Sequence, residues 1–154
     1  MNISYNWLKN YINFDLSAED TAKKLTSLGL EVGTVEEIQT IKGGLEGLVT
    51  AKVVECEDHP NSDHLHITKV DAGNGELIQV VCGAANCRAG LTTILATVGT
   101  TLYSGDESFS IKKSKIRGVE SFGMLCAEDE IGIGTSHEGI IELPEGTALG
   151  VPAK

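Results

Sequence analysis

The sequence predicts a mainly β fold that is preceded by a small helical appendage. Two observations lead to this prediction. Apolar residues recur at helical spacing from Met1 to Gly33, whereas from Leu48 onward the chain breaks into short runs rich in β-branched residues. Successive runs are separated by Gly, Asn or Asp, and no long helical stretch intervenes. Such spacing is typical of a small Greek-key barrel or sandwich.

Two short helices are expected at the start of the chain. Ser4 is placed to cap a first helical turn. Ser17, with Asp20 three residues later, is placed to cap a second helix, and Gly29 stands where a helix C-terminus favours a positive φ. Two helices of this length cannot form a core alone.

The expected strands follow the glycine-rich stretch KGGLEG (42–47), which is interpreted as a linker or turn. They are LVTAKVVEC (48–56), LHITKV (65–70), LIQVVCG (77–83), LTTILATVG (91–99), FSIKKSKI (109–116), GMLCAE (123–128) and GIIEL (139–143). The five-stranded OB barrel, a Greek-key barrel, is the obvious candidate for a segment of this length. We therefore expect a helical appendage over residues 1–39 and an OB-fold domain over residues 40–152.

The charge is distributed unevenly along the chain. The formal net charge is −10, which disfavours a basic wrap around nucleic acid on totals alone. Yet KKSKIRG (112–118) concentrates four positive side chains, Lys112, Lys113, Lys115 and Arg117. On a single strand, alternation would put Lys113, Lys115 and Arg117 on one face, which could follow a phosphate backbone. The alternative is that these lysines serve solubility and protect a strand edge.

The segment HPNSDHLH (59–66) raises the question of a metal site. His59, His64 and His66, together with Cys82 and Cys87, offer suitable ligand atoms, but their spacing matches no common zinc pattern. Asn, Ser and Asp after a proline are typical of a turn. We therefore expect turn residues here, no bound metal and reduced thiols.

Motifs of catalysis and of membrane insertion are missing from the sequence. There is no GxSxG, no GxxxxGK[ST] and no GxGxxG opening a helix, so no catalytic residue is assigned. No apolar run reaches 18 residues, and the opening residues lack the features of a signal peptide. A cytoplasmic protein without membrane association is expected.

Two longer stretches resemble a known family. HPNSDHLHITKVDAGNGELIQVVCGAANCRAG (59–90) and SKIRGVESFGMLCAEDEIG (114–132) are similar to the tRNA-binding OB domain of bacterial phenylalanyl-tRNA synthetase β subunits, some methionyl-tRNA synthetases and free-standing tRNA-binding proteins. The opening ISYNWLKNYINFDLSAEDTAKKLTSLGLEV (3–32) resembles the start of the phenylalanyl β subunit and not the other carriers. The resemblance thus points to the N-terminal part of that β subunit.

The resemblance implies a tRNA-binding module of a phenylalanine–tRNA ligase whose catalytic centre lies outside this chain, on the α subunit. Expected partners are tRNA, the α subunit and the remaining β-subunit domains of an α2β2 enzyme. ATP and magnesium are expected to act elsewhere in that enzyme, with no cofactor in this chain. The helical appendage is expected to be an incomplete domain with under-packed apolar side chains, namely Trp7, Leu8, Tyr11, Leu25 and Leu28.

The candidate nucleic-acid-binding residues combine the basic segment with positions that match the family's loops. They are Lys113, Lys115 and Arg117, with Arg88 and Lys112 at the margin, Ser121 and Met124 in the S-x-G-M turn, and Asn86 in a second family loop. Turn geometry is the alternative for Ser121 and Asn86, and core filling for Met124. At the level of the whole module, the alternative is a structural domain that packs against other parts of the synthetase.

Overall fold

The computed structural model of the protein describes residues 1–104 and 106–153. The chain forms two compact units, Met1–Ile38 and Gln39–Lys154. The sequence-based boundary after residue 39 stays a prediction, as does the assignment of the first unit as an incomplete domain.

The first unit contains two short helices that begin where the sequence predicts. Helix α1 (Tyr5–Leu8) is capped by Ser4, whose hydroxyl accepts a hydrogen bond from the Trp7 amide. Helix α2 (Ala18–Ser27) is capped by Ser17, whose hydroxyl accepts from the Asp20 amide at 3.1 Å. Beyond α2, Gly29 has a φ of 94°. Both caps and the positive φ are confirmed.

No residue of the first unit, 1–38, is buried, and its aromatic side chains make local contacts. Tyr5 packs edge-to-face on Phe14, and its hydroxyl donates to the Leu16 carbonyl. The expected under-packing is confirmed for the most exposed of the five apolar side chains, Trp7 (54%), Tyr11 (71%) and Leu28 (80%). Leu8 and Leu25 are half-buried.

The second unit is built on a five-stranded antiparallel sheet in the order β3-β2-β1-β4-β9. Its strands are β1 (Leu48–Asp58), β2 (His66–Asp71), β3 (Leu77–Cys82), β4 (Thr92–Thr97) and β9 (Gly123–Leu125). Two small hairpins lie between β4 and β9 in the chain: β5 (Thr101–Ser104) pairs with β6 (Glu107–Ser110), and β7 (Ser114–Ile116) pairs with β8 (Val119–Ser121).

The sheet curls until its edges nearly meet. A register shift between Val53 and Glu55 bends β1. At the closing edge, the Phe122 amide donates to the Gln79 carbonyl at 2.9 Å, and the Val81 amide donates to the Ser121 hydroxyl at 3.1 Å. A mainly β, OB-like barrel after short N-terminal helices is thus confirmed.

The core has two apolar clusters because β4 is covered on both faces. Alternate β4 side chains enter different clusters, with Leu95 in one and Ile94 and Ala96 in the other. The remaining fully buried members of the first cluster include Val53, Val70 and Val80 from β1, β2 and β3.

Two strand predictions near the C-terminal half are wrong. The run 109–116 is divided between β6 and β7, with residues 111–113 outside any strand. The run 139–143 forms no strand: it meets the sheet through one bridge, Thr92 to Leu143, and buries Ile140. No helix in the described part of the chain is long and apolar enough to cross a membrane.

Candidate nucleic-acid interface

Two loops of the barrel lie against each other at the candidate interface. One is the β1–β2 loop (residues 59–65), and the other is the basic hairpin (residues 112–122), which contains β7 and β8. His59 Nε2 lies 3.1 Å from the Ile116 carbonyl oxygen. Asn61 Nδ2 donates to the Arg117 carbonyl at 3.3 Å, and Arg117 Nη1 donates to the Asn61 carbonyl at 3.0 Å. These contacts join segments more than 50 residues apart in sequence.

The basic hairpin presents positive charge around one carboxylate. Lys113 Nζ lies 3.1 Å from Glu120 Oε1 and 5.0 Å from the centre of the Phe122 ring. Lys115 is the cross-strand partner of Glu120, so both side chains lie on the same face of the hairpin. An exposed ion pair of this kind contributes little to stability, so Lys113 can exchange Glu120 for a phosphate at small cost.

Arg117 occupies the turn and not a strand. It has a φ of 47°, and the next residue, Gly118, has a φ of 91°. The prediction that one strand face carries Lys113, Lys115 and Arg117 is therefore wrong, because alternation ends at Ile116 where the chain reverses. The three residues still lie within five positions of one another in the basic hairpin. Lys112 precedes β7 and is exposed.

Arg88 and Asn86 belong to a different structure, which we call the C-terminal clip (residues 86–88 and 139–142). Asn86 Nδ2 donates to the Ile140 carbonyl at 2.8 Å, and Asn86 Oδ1 accepts from the Ile140 amide at 3.0 Å. Arg88 binds both carboxylate oxygens of Glu142, at 3.0 and 3.2 Å. The Arg88 hydrogen bonds, followed by one from Asn86, lower the pKa of Glu142 to about 2.

A cleft of about 420 Å³ lies beside the C-terminal clip, and its lining is acidic. Glu128, Glu138 and Glu142 all line it, together with Asn86. Negative lining opposes a phosphate group. Because Arg88 is paired and Asn86 is used in internal hydrogen bonds, direct contact of either with tRNA stays a prediction.

Ser121 and Met124 also have internal roles. Ser121 is 1% exposed, and its hydroxyl accepts from the Val81 amide and donates to the Gly123 carbonyl at 3.2 Å. It therefore helps to close the barrel between β3 and β9. Met124 is half-buried against the second core cluster. Their direct contact with nucleic acid likewise stays a prediction.

The other histidines of the segment 59–66 pair with neighbouring aspartates. His64 Nδ1 lies 3.0 Å from Asp63 Oδ1, and this hydrogen bond lowers the pKa of Asp63. His66 Nδ1 lies 3.3 Å from Asp58 Oδ1. Among residues 1–104 and 106–153, no three His, Cys, Asp or Glu side chains are arranged to hold a metal ion. The four cysteines are free thiols.

Sequence reasoning missed two parts of this region. His59 lies in a loop, as predicted, but its burial, to 2% exposure, was not predicted. Lys69 is absent from the predicted set, although its ammonium donates to Gln79 Oε1 at 2.8 Å. Gln79 Nε2 in turn donates to the Glu120 carbonyl of the basic hairpin at 2.7 Å. The outward alternation of β2 and β3 could have indicated Lys69. No local signal could have paired His59 with Ile116.

Sequence comparisons with curated proteins agree with the resemblance. The chain is 68% identical over all 154 residues to the phenylalanine–tRNA ligase β subunit of Bacteroides fragilis, and 61% identical over 153 residues to that of Porphyromonas gingivalis. It spans 19% of the length of each relative. Among solved structures, a "MetRS related protein from Pyrococcus horikoshii" has 24% identity and a TM-score of 0.48, covering 67% of this chain and 84% of that one.

A family model with the description "Putative tRNA binding domain" matches residues 48–152. The match runs from the first residue of β1, through the β1–β2 loop and the basic hairpin, to the bridge between Val49 and Pro152. The expected family is thereby confirmed. Since the matched residues make up most of the chain, the protein belongs to the tRNA-binding domain family.

Proposed function

We propose that this chain is a tRNA-binding module of a phenylalanine–tRNA ligase β subunit, supporting aminoacylation at a catalytic centre outside it. In the parent enzyme its partners are tRNA, the α subunit and further β-subunit domains in an α2β2 assembly in the cytoplasm. ATP and magnesium act at the distant catalytic centre. The similarity to β subunits along the whole chain supports this assignment.

The observation that supports the binding site best is the contact between the β1–β2 loop and the basic hairpin. OB barrels bind oligonucleotides on the face of their second and third strands and on the loops after the first and fourth strands. Here β1, β2, β3, β4 and β9 form the five-stranded sheet, so those loops are residues 59–65 and 98–122. The basic hairpin lies within the second loop.

Lys113, Lys115 and Arg117 are the proposed phosphate ligands. Lys112 and Arg88 lie at the margin, and Lys69 extends the surface onto β2. Asn86, Ser121 and Met124 contribute by holding the barrel and its C-terminal segment in place. Three phosphate contacts predict a slope of log K against log salt of about −2 to −3, from roughly −0.7 to −0.9 per contact. With so few contacts and a net charge of −10, we expect a dissociation constant of about 1 μM or weaker.

The test is tRNA binding by fluorescence anisotropy at two salt concentrations. Replacing Lys113, Lys115 and Arg117 together by Glu should abolish binding at low salt. The matched control replaces three lysines of the first unit, Lys9, Lys23 and Lys24, by Glu. It should retain most of the tRNA affinity. The single changes His64→Ala and His66→Ala should leave the affinity nearly unchanged. Equal loss in both triple variants would mean that total charge, and not the basic hairpin, governs binding.

A second candidate is an assembly module that packs against other synthetase domains with little tRNA contact. The internal pairing of the basic residues favours it, because Arg88 and Lys113 each have a glutamate within 3.1 Å. The net charge of −10 favours it as well. Wild-type protein that shows no tRNA binding at low salt would support this candidate and refute the first.

A further inference from the structure

Three hydrogen bonds outside the sheet tie the β1–β2 loop to the basic hairpin, and we call them the loop clasp. They run from His59 to Ile116, from Asn61 to the Arg117 carbonyl, and from Arg117 to the Asn61 carbonyl. No strand pairing joins these two segments among the described residues. The loop clasp is therefore a direct connection between these two loops, in addition to the bonds that anchor the basic hairpin to β3.

The ring of His59 has one defined tautomer. The backbone N–H of Asn61 donates to His59 Nδ1 at 3.0 Å, so Nδ1 carries the lone pair. The proton is then on Nε2, which donates to the Ile116 carbonyl at 3.1 Å. Both ring nitrogens are used, and at 2% exposure water cannot replace either partner. The imidazole thus sets the spacing between the two loops.

The turn at Arg117 is strained, and the loop clasp stabilises it. Arg117 and Gly118 are the two residues between β7 and β8, and both have positive φ. This is a type I′ hairpin turn, which favours Asn or Gly at its first position. An arginine there is unfavourable because its Cβ crowds the following carbonyl. The Asn61 side chain donates to the Arg117 carbonyl, and the Asn61 carbonyl accepts from the Arg117 guanidinium. Together these two hydrogen bonds hold the turn in this conformation.

We propose that the loop clasp is the positioning element of the nucleic-acid interface. On the basis of the proposed function, the loop clasp holds the Arg117 turn so that the Arg117 guanidinium reaches the phosphate backbone beside Lys113 and Lys115. His59 and Asn61 act through Arg117 and do not touch the RNA. Among the described residues, the loop clasp uses one N–H group of the Arg117 guanidinium. The other N–H groups of the guanidinium can donate to phosphate oxygens.

Two substitutions of His59 each keep one of the two hydrogen bonds that its ring makes. His59→Asn puts a side-chain amide near the position of Nδ1. Its oxygen can still accept from the backbone N–H of Asn61, but the side chain cannot reach the Ile116 carbonyl. His59→Gln puts an amide near the position of Nε2 and can still donate to the Ile116 carbonyl. We expect His59→Asn to weaken tRNA binding roughly tenfold and to lower the salt slope by about 0.7 to 0.9, the value of one phosphate contact. His59→Gln should recover most of the affinity.

A double-mutant cycle with Arg117→Gln shows whether His59 acts through Arg117. The double variant His59→Asn/Arg117→Gln should bind no more weakly than Arg117→Gln alone, because both changes remove the same contact. Additive losses would overturn the proposal. If His59→Asn does not fold, Asn61→Ala replaces it: the side chain is exposed, and the same lack of additivity is expected.

The outcomes distinguish this proposal from the proposed function. Unchanged affinity and slope in His59→Asn, with weakened binding by Arg117→Gln, would refute the loop clasp while leaving the interface in place. Full affinity in the Lys113, Lys115 and Arg117 triple reversal would refute the interface itself. Thermal unfolding of each variant, measured in parallel, confirms that the compared proteins are folded at the temperature of the binding assay.

Discussion

Asn86→Ala should destabilise the barrel without weakening tRNA binding at temperatures well below unfolding. The Asn86 side chain makes three hydrogen bonds across the C-terminal clip, two to the backbone of Ile140 and one to Glu142 at 3.1 Å. Truncation to alanine removes all three. The bidentate pair of Arg88 with Glu142 does not depend on this side chain and should survive.

The magnitude follows from the burial of Ile140. An intramolecular hydrogen bond contributes about 0.5–1.5 kcal/mol net, and an orphaned buried backbone group costs more. Ile140 is 6% exposed, so water reaches its amide and carbonyl poorly. We therefore expect the free energy of unfolding to fall by roughly 2–4 kcal/mol. Gly139→Ala should act on the same contact, because a Cβ at Gly139 would collide with the Asn86 amide.

Urea unfolding followed by far-UV circular dichroism is the suitable assay. The single tryptophan, Trp7, lies in the first unit, so its fluorescence does not report on the barrel. Asn74→Ala is the matched control. Asn74 is exposed, and its side-chain oxygen accepts a hydrogen bond within the turn from the backbone N–H of Glu76 at 3.2 Å. It should lose less than about 1 kcal/mol.

One result would refute this reasoning. If Asn86→Ala unfolds at the same urea concentration as the wild type but binds tRNA more weakly, Asn86 is a contact residue. The C-terminal clip would then belong to the interface, and the basic hairpin would not be its centre.

Three further predictions concern single side chains. Glu120→Gln should raise tRNA affinity roughly two- to fivefold at low salt, measured by anisotropy, because it frees Lys113 from its ion pair; the gain should fade at high salt. Leu95→Ala should lower the free energy of unfolding by roughly 2–5 kcal/mol in urea titrations, since Leu95 is fully buried. Stability should fall as the pH drops from about 4.5 to about 2, because the hydrogen bonds from Arg88 depress the folded-state pKa of Glu142; a stability–pH curve of Glu142→Gln should lack this component.

Local signals in the sequence predicted the elements whose determinants are close together in the chain. The caps at Ser4 and Ser17 need only a hydroxyl and an amide three residues apart, and Gly29 needs only its own φ. Strands β1 to β4 are runs of apolar residues bounded by turn residues. Their spacing and the length of the segment already favoured a five-stranded OB barrel, and the resemblance to a family agreed with this.

Other features depend on distant residues and could not be read from local patterns. The run 109–116 has the pattern of a single strand. Ile111, however, packs in the second core cluster, which interrupts the strand before β7 begins at Ser114. Ile140 belongs to the first core cluster although its segment forms no strand, because Asn86 holds it. The same limit applies to the candidate site. Its basic residues are visible in composition, but the partner of His59 is 57 residues away.

Backbone amide chemical shifts during a tRNA titration test the central claim most directly. The claim is that the basic hairpin, positioned by the β1–β2 loop, is the centre of the nucleic-acid interface. At low salt, the largest shift changes should fall in residues 59–65 and 112–122, and they should disappear when Lys113, Lys115 and Arg117 are replaced by Glu. Changes centred on residues 86–88 and 139–142, or changes that persist in the triple variant, would contradict it.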